Sequence, residues 1–300
     1  MSISIPSSAK PFLKWAGGKT QLIGEIEKRL PANFANGGYT YIEPFVGSGA
    51  VLFWMLSTYP NIKRAVINDV NEDLIGTYKA IAANAQELIG TLGAIQENYY
   101  SFGDNQQKKA EYYYKIRDDF NSRSKDKVTH AALFIFLNRT CFNGLYRVNR
   151  NNEFNVPMGA YKKPTICDSA NIIAVSNILK KVDILCGDFE QTEQYASGES
   201  LFYFDPPYKP LNSTSSFNAY AKTDFNDHQQ VRLKHFCSAL DAKGYQWMLS
   251  NSDVRTSPNS SSFFDELYAQ FNISRVKATR RINSNAQKRG ELNELLITNY

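Results

Sequence analysis

Leu201-Phe202-Tyr203-Phe204 reads as a buried strand, and it stops at Asp205-Pro206-Pro207-Tyr208. Each proline fixes its own backbone and lacks an N–H, so the strand cannot simply continue and the carbonyls there are turned away from sheet pairing. An acid, a rigid carbonyl and a flat ring therefore project together from the C-terminal end of one strand. In open α/β sheets that edge is where ligands bind. The plain alternative is a turn carrying a packed tyrosine.

The preceding chain supplies the rest of such a sheet. Leu22 to Leu30 has helical spacing. Tyr39 to Phe45 is a β-rich run broken by Pro44, Gly47-Ser48-Gly49 follows, and Ala50 to Leu56 reads as a helix. Arg64 to Asn68 is a second strand, closed by Asp69 and followed by a helical pattern from Glu72. Strand, glycine turn, helix, strand and acid in that order open a doubly wound sheet. From Glu72 to Leu137 the pattern is helical and more polar, and Arg139 to Lys163 is irregular, rich in Asn, Arg and Gly. Strand-like runs return at Val182 to Leu185, Leu201 to Phe204 and Tyr245 to Ser250. Ile273 to Arg281 and Glu294 to Tyr300 form an antiparallel pair around a basic loop. An α/β domain of residues 1–71 and 166–300 is thus interrupted by a mostly helical insert of residues 72–165.

Three hundred residues can bury a large core. No apolar run approaches the roughly 18 residues that span a bilayer, and the opening residues lack a secretory pattern, so no membrane partner is expected. Cys141, Cys167, Cys186 and Cys237 show neither C-x-x-C pairing nor metal spacing with the three histidines. Reduced thiols in a cytoplasmic protein without a structural metal are the expectation. The net charge of +5 is modest, but basic residues cluster from Arg139 to Lys163 and from Arg275 to Arg289. Interleaved with Asn, Ser and Tyr, they form either a polyanion-binding surface or a solvated face.

Gly47 and Gly49 let a backbone approach a ligand at a helix start, and Asp69 can accept hydrogen bonds from ribose hydroxyls. The turn lacks the third glycine of the dinucleotide fingerprint and is equally a tight strand-to-helix connection. Lys14-Trp15-Ala16-Gly17-Gly18-Lys19 is a cationic turn suited to a carboxylate or phosphate, and it lacks the order of a Walker loop. A zwitterionic cofactor with a free amino-acid end suits it better than a nucleoside triphosphate. The alternative is a loop with a packed tryptophan.

Four of these segments, Lys14 to Lys19, Glu43 to Gly49, Asn68-Asp69 and Asp205 to Tyr208, stand in the order found in Dam-type DNA adenine N6-methyltransferases, which the chain resembles over nearly its whole length. Asn143-Gly144-Leu145-Tyr146-Arg147, Phe154-Asn155-Val156-Pro157 and Tyr161-Lys162-Lys163-Pro164 resemble that family's target-recognition region. The resemblance implies a Rossmann-like, mixed seven-stranded S-adenosyl-L-methionine-dependent sheet with an inserted helical DNA-recognition domain. It implies that Asp205, Pro206, Pro207 and Tyr208 are catalytic. Trp15, Lys19, Asp69 and Asp205 would contact the cofactor, with Gly47 and Gly49 in the turn, Glu43 and Phe45 beside the pocket, and Asp188 and Phe189 near the cofactor adenine. Phe142, Asn143, Leu145 and Arg147 match residues that read or separate the bases of GATC. By the same resemblance Pro157 would lie beside them, Lys14 would touch a guanine, and Arg139 and Asn149 would contact phosphates, as would the basic loop around Arg280, Arg281, Lys288 and Arg289. Ala160 departs from the family's usual Gly-Arg-Tyr-Lys, which puts a backbone contact there in doubt.

The chemistry suits these residues. Adenine N6 is a poor nucleophile because its lone pair is delocalised into the ring. Acceptance of its amino hydrogens by the Asp205 carboxylate and the Pro206 carbonyl would free that pair and favour the positive charge that develops on nitrogen. The base must first leave the helix, and the Tyr208 ring gives it a platform. Arg147 can span guanine O6 and N7. The expected partner is double-stranded DNA at GATC, and a monomer is favoured. Methylation of another DNA site or of RNA, a nicotinamide-dependent oxidoreductase and a DNA-binding module without catalysis are the competing readings.

Overall fold

The computed structural model describes residues 9–15, 17–209, 225–255, 263–279 and 291–300. Arg280, Arg281, Lys288 and Arg289 of the expected basic loop lie outside them, as does Ala16. In chain order the elements are α1 (Ile23–Glu27), β1 (Thr40–Glu43), α2 (Ala50–Thr58), β2 (Arg64–Asp69), α3 (Glu72–Ser101), α4 (Gln106–Asn121), α5 (Lys127–Thr140), α6 (Ser169–Leu179), β3 (Val182–Cys186), β4 (Ser200–Phe204), α7 (Asp227–Ala242), β5 (Gln246–Ser252), α8 (Phe263–Leu267), β6 (Asn272–Thr279) and β7 (Glu291–Thr298). The strands form one mixed sheet in the order β3-β2-β1-β4-β5-β7-β6. No helix among the described residues is long and apolar enough to cross a membrane.

The described chain divides into two compact units. One comprises Lys19–Val46, Tyr59–Asn68 and Gly187–Tyr300. Its central strands β1 and β4 are buried along their whole length, as expected of parallel strands covered on both faces. β1 pairs in parallel with β2 and β4, and β4 with β5, so their C-terminal ends share one edge. β7 then enters antiparallel between β5 and β6, with Glu294 opposite Ser252. Because β7 runs the other way, its early residues meet the C-terminal end of β5. The helix expected over Leu22 to Leu30 is only the five residues of α1, preceded by a 3-10 turn at Lys19–Gln21.

The other unit comprises residues up to Gly18, Gly47–Thr58 and Asp69–Cys186. It carries the helical run expected from the sequence. Asn71, Asn105 and Asp126 cap α3, α4 and α5 by accepting backbone N–H bonds, which satisfies donors that every helix start leaves open. α5 buries nearly every side chain from Ala131 to Thr140. Each fully buried Leu, Ile or Phe there contributes about 1.5–3 kcal/mol of hydrophobic stabilisation. α3 departs from helical geometry at Asn84, which divides it into two segments.

Candidate active site

Asp205 leaves the end of β4 with its side chain 21% exposed, against 5% for Lys19. Lys19 Nζ lies 2.9 Å from Asp205 Oδ1, and the Ser250 hydroxyl donates to that same oxygen at 3.0 Å. Among the described residues, neither Asp205 Oδ2 nor the Pro206 carbonyl accepts a hydrogen bond. Burial pushes the Asp205 carboxyl above the usual carboxylate range and Glu294 adds to this, while Lys19 and Ser250 oppose it.

The rest of the motif is pinned from neighbouring elements. The Tyr208 hydroxyl donates to Glu294 Oε2 at 2.7 Å, and Lys19 Nζ sits 4.3 Å from the ring centroid. Burial and the carboxylates of Asp205 and Glu294 push that hydroxyl well above its ordinary pKa, which keeps it a neutral donor. Gln230 of α7 donates to the Pro207 carbonyl at 3.1 Å and accepts from Asn251 at 3.2 Å. The Ser252 hydroxyl donates to the Lys209 carbonyl at 2.9 Å. Sequence reasoning missed Ser250, Gln230 and Glu294. The polar run Ser250-Asn251-Ser252 at the end of an apolar strand was the signal for the first.

The remaining expected residues of this unit lie along the same strands and their exits. Glu43 is buried and accepts from the Tyr41 hydroxyl at 2.8 Å. Phe45 packs on Phe189 and Phe225, with ring centroids 5.4 and 5.6 Å apart. Asp188 is exposed and caps a 3-10 turn through the Glu190 N–H. Both of its oxygens accept from Arg232, at 2.7 and 2.8 Å. Burial alone would raise the Asp188 carboxyl, but Arg232 holds it below the usual range. Asn68 Nδ2 donates to the carbonyls of Pro44 and Gly187, so the exits holding Phe45 and Asp188 are tied together.

In the other unit, Asp69 accepts the Gly47 N–H at 3.1 Å and the Asn71 N–H at 3.0 Å, one on each carboxylate oxygen. Burial holds its carboxyl above the usual range despite those bonds. Gly47 has φ +49°, and a Cβ there would stand 3.1 Å from the Trp15 ring. Gly49 has φ +73°, and a Cβ would stand 2.5 Å from the Tyr78 hydroxyl, which donates to the Gly47 carbonyl. Both positions therefore exclude a side chain. Trp15, Gly47, Gly49 and Asp69 thus form one local cluster.

The expected DNA-reading residues lie on a short hairpin after α5. Backbone bridges join Cys141 with Met158 and Val148 with Phe154. Phe142 is 51% exposed although its neighbours Cys141 and Gly144 are buried, and its N–H bonds the Pro157 carbonyl at 2.8 Å. Asn143 takes φ +55°, a left-handed conformation that asparagine tolerates. Leu145 is half-buried, and Arg147 is exposed. Asn155 receives Arg147 Nε at 2.7 Å on its side chain and Nη2 at 3.2 Å on its carbonyl, which holds the guanidinium in one place. Lys14 is held through both backbone groups by Asn138, and its Nζ lies 4.1 Å from the Tyr161 ring centroid.

Two expected phosphate contacts already have work within the fold. Asn149 closes the hairpin turn, accepting from the Asn151 and Glu153 N–H groups and donating to the Glu153 carboxylate. Arg139 is half-buried and donates to the Phe12 carbonyl at 2.8 Å. Burial lowers its pKa from the ordinary guanidinium value. Among the described residues, no three His, Cys, Asp or Glu side chains gather where they could hold a metal ion.

Comparison with known proteins identifies the family. Residues 15–282 match the family described as D12 class N6 adenine-specific DNA methyltransferase. The chain belongs to that family and is an adenine-specific DNA methyltransferase. It is 51% identical over 295 residues to the Type II methyltransferase M.MjaIII of Methanocaldococcus jannaschii, covering 97% of this chain and 99% of that one. It is 38% identical over 296 residues to the Type II methyltransferase M1.LlaDCHI of Lactococcus lactis subsp. cremoris, covering 97% and 95%. The DNA adenine methylase of Escherichia coli K12 is 34% identical over 287 residues, covering 96% and 94%.

Proposed function

We propose that this enzyme transfers a methyl group from S-adenosyl-L-methionine to N6 of an adenine flipped out of duplex DNA, at GATC. The observation that carries the chemistry is the division of labour at Asp205. Oδ1 is committed to Lys19 and Ser250, while among the described residues neither Oδ2 nor the Pro206 carbonyl accepts a hydrogen bond, so both would serve an amino group. Two acceptors on a rigid Pro-Pro segment would draw both amino hydrogens and free the nitrogen lone pair, and the carboxylate would favour the cationic nitrogen that forms. Tyr208, fixed through Glu294, would stack on the base.

The chain's residues fit the cofactor. The Asp69 oxygens each take one backbone N–H and retain lone pairs for ribose hydroxyls. Trp15 and the two side-chain-excluding glycines offer an aromatic face and close backbone approach. By the resemblance in sequence, Lys19, Glu43, Phe45, Asp188, Phe189 and Asp205 would be further cofactor contacts. The cofactor, when bound, supplies the electrophilic methyl. Residues 72–165 would be the DNA-recognition domain, with Phe142 separating bases, Arg147 and Lys14 reading guanines, and Asn143, Leu145 and Pro157 beside them. Arg139 and Asn149 would meet phosphates through the segments they hold. The enzyme would act as a monomer in the cytoplasm.

The test is tritiated methyl transfer to duplexes containing GATC or single-base variants of it. Transfer confined to GATC supports the proposal. Equal transfer to all duplexes, or transfer to a different site, would refute the recognition sequence. An active Asp205→Ala variant would refute the mechanism.

A further inference from the structure

The base-reading hairpin and the cofactor cluster of the same unit meet at one side chain, Tyr146. Its ring stacks on Trp15 with centroids 5.6 Å apart and planes 25° from parallel. Its hydroxyl donates to Asp73 Oδ2 at 2.9 Å within the buried interior. In sequence it stands between Leu145 and Arg147, so its position sets where both of these lie.

Asp73 is buried in the first turn of α3, two residues after Asn71, whose N–H bonds Asp69. Its carboxylate also takes His130 Nε2 of α5 at 2.9 Å and is paired with the Arg123 guanidinium after α4. One carboxylate thus fixes α3, α5, the end of α4 and the hairpin against each other. A second tie runs parallel to it. Asn138 accepts the Lys14 N–H at 2.8 Å and donates to the carbonyls of Lys14 at 2.8 Å and Gly144 at 3.1 Å. The Lys14-Trp15 segment and residues 144–147 are therefore held as one body. Packed interiors pass on displacements because they have little free volume to absorb them.

Building on the proposed function, we infer that Tyr146 is a positioning residue that couples cofactor occupancy to DNA reading. A ligand that orders Trp15 and the Asp69 loop fixes the Tyr146 ring on one side and its Asp73 anchor on the other, and so settles Arg147 before DNA arrives. The reverse also holds, because a coupling free energy is shared equally by the two ligands. Duplex on the hairpin then tightens the cofactor site by the same factor.

Titration calorimetry with full-length protein, S-adenosylhomocysteine and a GATC duplex reads this directly. The quantity is the ratio of duplex Kd without and with saturating S-adenosylhomocysteine. For the wild type a ratio of about 5 or more is expected, in the usual range of coupling energies. Tyr146→Leu, which loses ring and hydroxyl, should bring it below about 2, and Tyr146→Phe, which keeps the stack and loses the Asp73 anchor, should fall between. A merely structural defect would weaken both binary affinities and leave the ratio standing. A wild-type ratio of one overturns the inference, as does an undiminished ratio in Tyr146→Leu. Should Tyr146→Leu fail to fold, an undiminished ratio in Tyr146→Phe does the same. Failure of the proposed function looks different, since the wild type would then fail to bind S-adenosylhomocysteine alone, or would bind the GATC duplex no better than a duplex without that site.

Discussion

The Lys19 ammonium pairs with the Asp205 carboxylate at Oδ1, 2.9 Å from Nζ, where the Ser250 hydroxyl also donates. Lys19 and Ser250 thus hold the acid by the same oxygen. On the proposed mechanism the reaction needs Asp205 ionised, and burial raises its pKa while Lys19 opposes that rise. Removing the cation in Lys19→Met should therefore move the acid limb of the kcat–pH profile to higher pH. Removing the Glu294 charge in Glu294→Gln should move it to lower pH, because Glu294 acts in the raising direction. Single-turnover rates from about pH 4 to 8 would check both signs, and equal shifts in one direction would contradict them.

A second consequence concerns stability. A carboxyl whose folded pKa lies above its unfolded value favours folding most below the unfolded value, and that contribution is lost as pH rises through the folded value. At neutral pH the ionised Asp205 is thus a burden on the fold. Asp205→Asn should be inactive by a factor of about 10² or more yet melt no lower than the wild type at pH 7. Thermal melts at neutral pH decide this, and a lower Tm would contradict it.

Asp73 has the opposite sign. Burial would raise its carboxyl, but His130 and Arg123 together hold it below the usual range. Its stabilisation is complete above about pH 4, the unfolded value, and is lost as pH falls through the folded value. Asp73→Asn should cost about 1–3 kcal/mol at pH 7. Urea titrations at pH 7 and near pH 3 should show that difference shrinking in acid.

The bond Tyr208 makes and the stacking proposed for its ring can be separated. Tyr208→Phe loses the Glu294 bond but keeps a stacking face, whereas Tyr208→Ala loses both. Base–aromatic stacking is worth about 1–3 kcal/mol. With 2-aminopurine at the target adenine, the fluorescence gain on flipping should survive largely in Tyr208→Phe and collapse in Tyr208→Ala.

Arg147 should carry specificity more than affinity. Its fork is exposed and pre-set by Asn155, so Arg147→Ala should cost about 1–3 kcal/mol of discrimination at one guanine. The ratio of kcat/KM for GATC over near-cognate duplexes would measure it, and an unchanged ratio would reject the assignment.

Much of this was legible beforehand. The stop at Asp205-Pro206-Pro207-Tyr208, the glycine turn and Asp69 announce themselves because prolines, left-handed glycines and strand-end acids leave local marks in sequence. The antiparallel pair at the end of the chain was also readable, since alternation and turn residues are local. What distant parts of the chain contribute was not. Glu294 reaches Tyr208 only because β7 enters reversed beside β5, and Gln230 reaches Pro207 only because α7 packs there. Nothing near Asp73 in sequence announces Arg123, His130 or Tyr146 as its partners. Arg139 and Asn149 are expected to contact phosphates, and tertiary packing gives each a carbonyl or turn to hold.

The reversed entry of β7 has a temporal side. The Lys14-to-Arg147 body and its helices are synthesised entirely before β7, which brings the Glu294 anchor and closes the sheet between β5 and β6. The residues proposed to read bases are thus all in place along the chain before Glu294, the anchor of Tyr208, is made. A message cut short within the final strand would yield a product that carries the former without the latter.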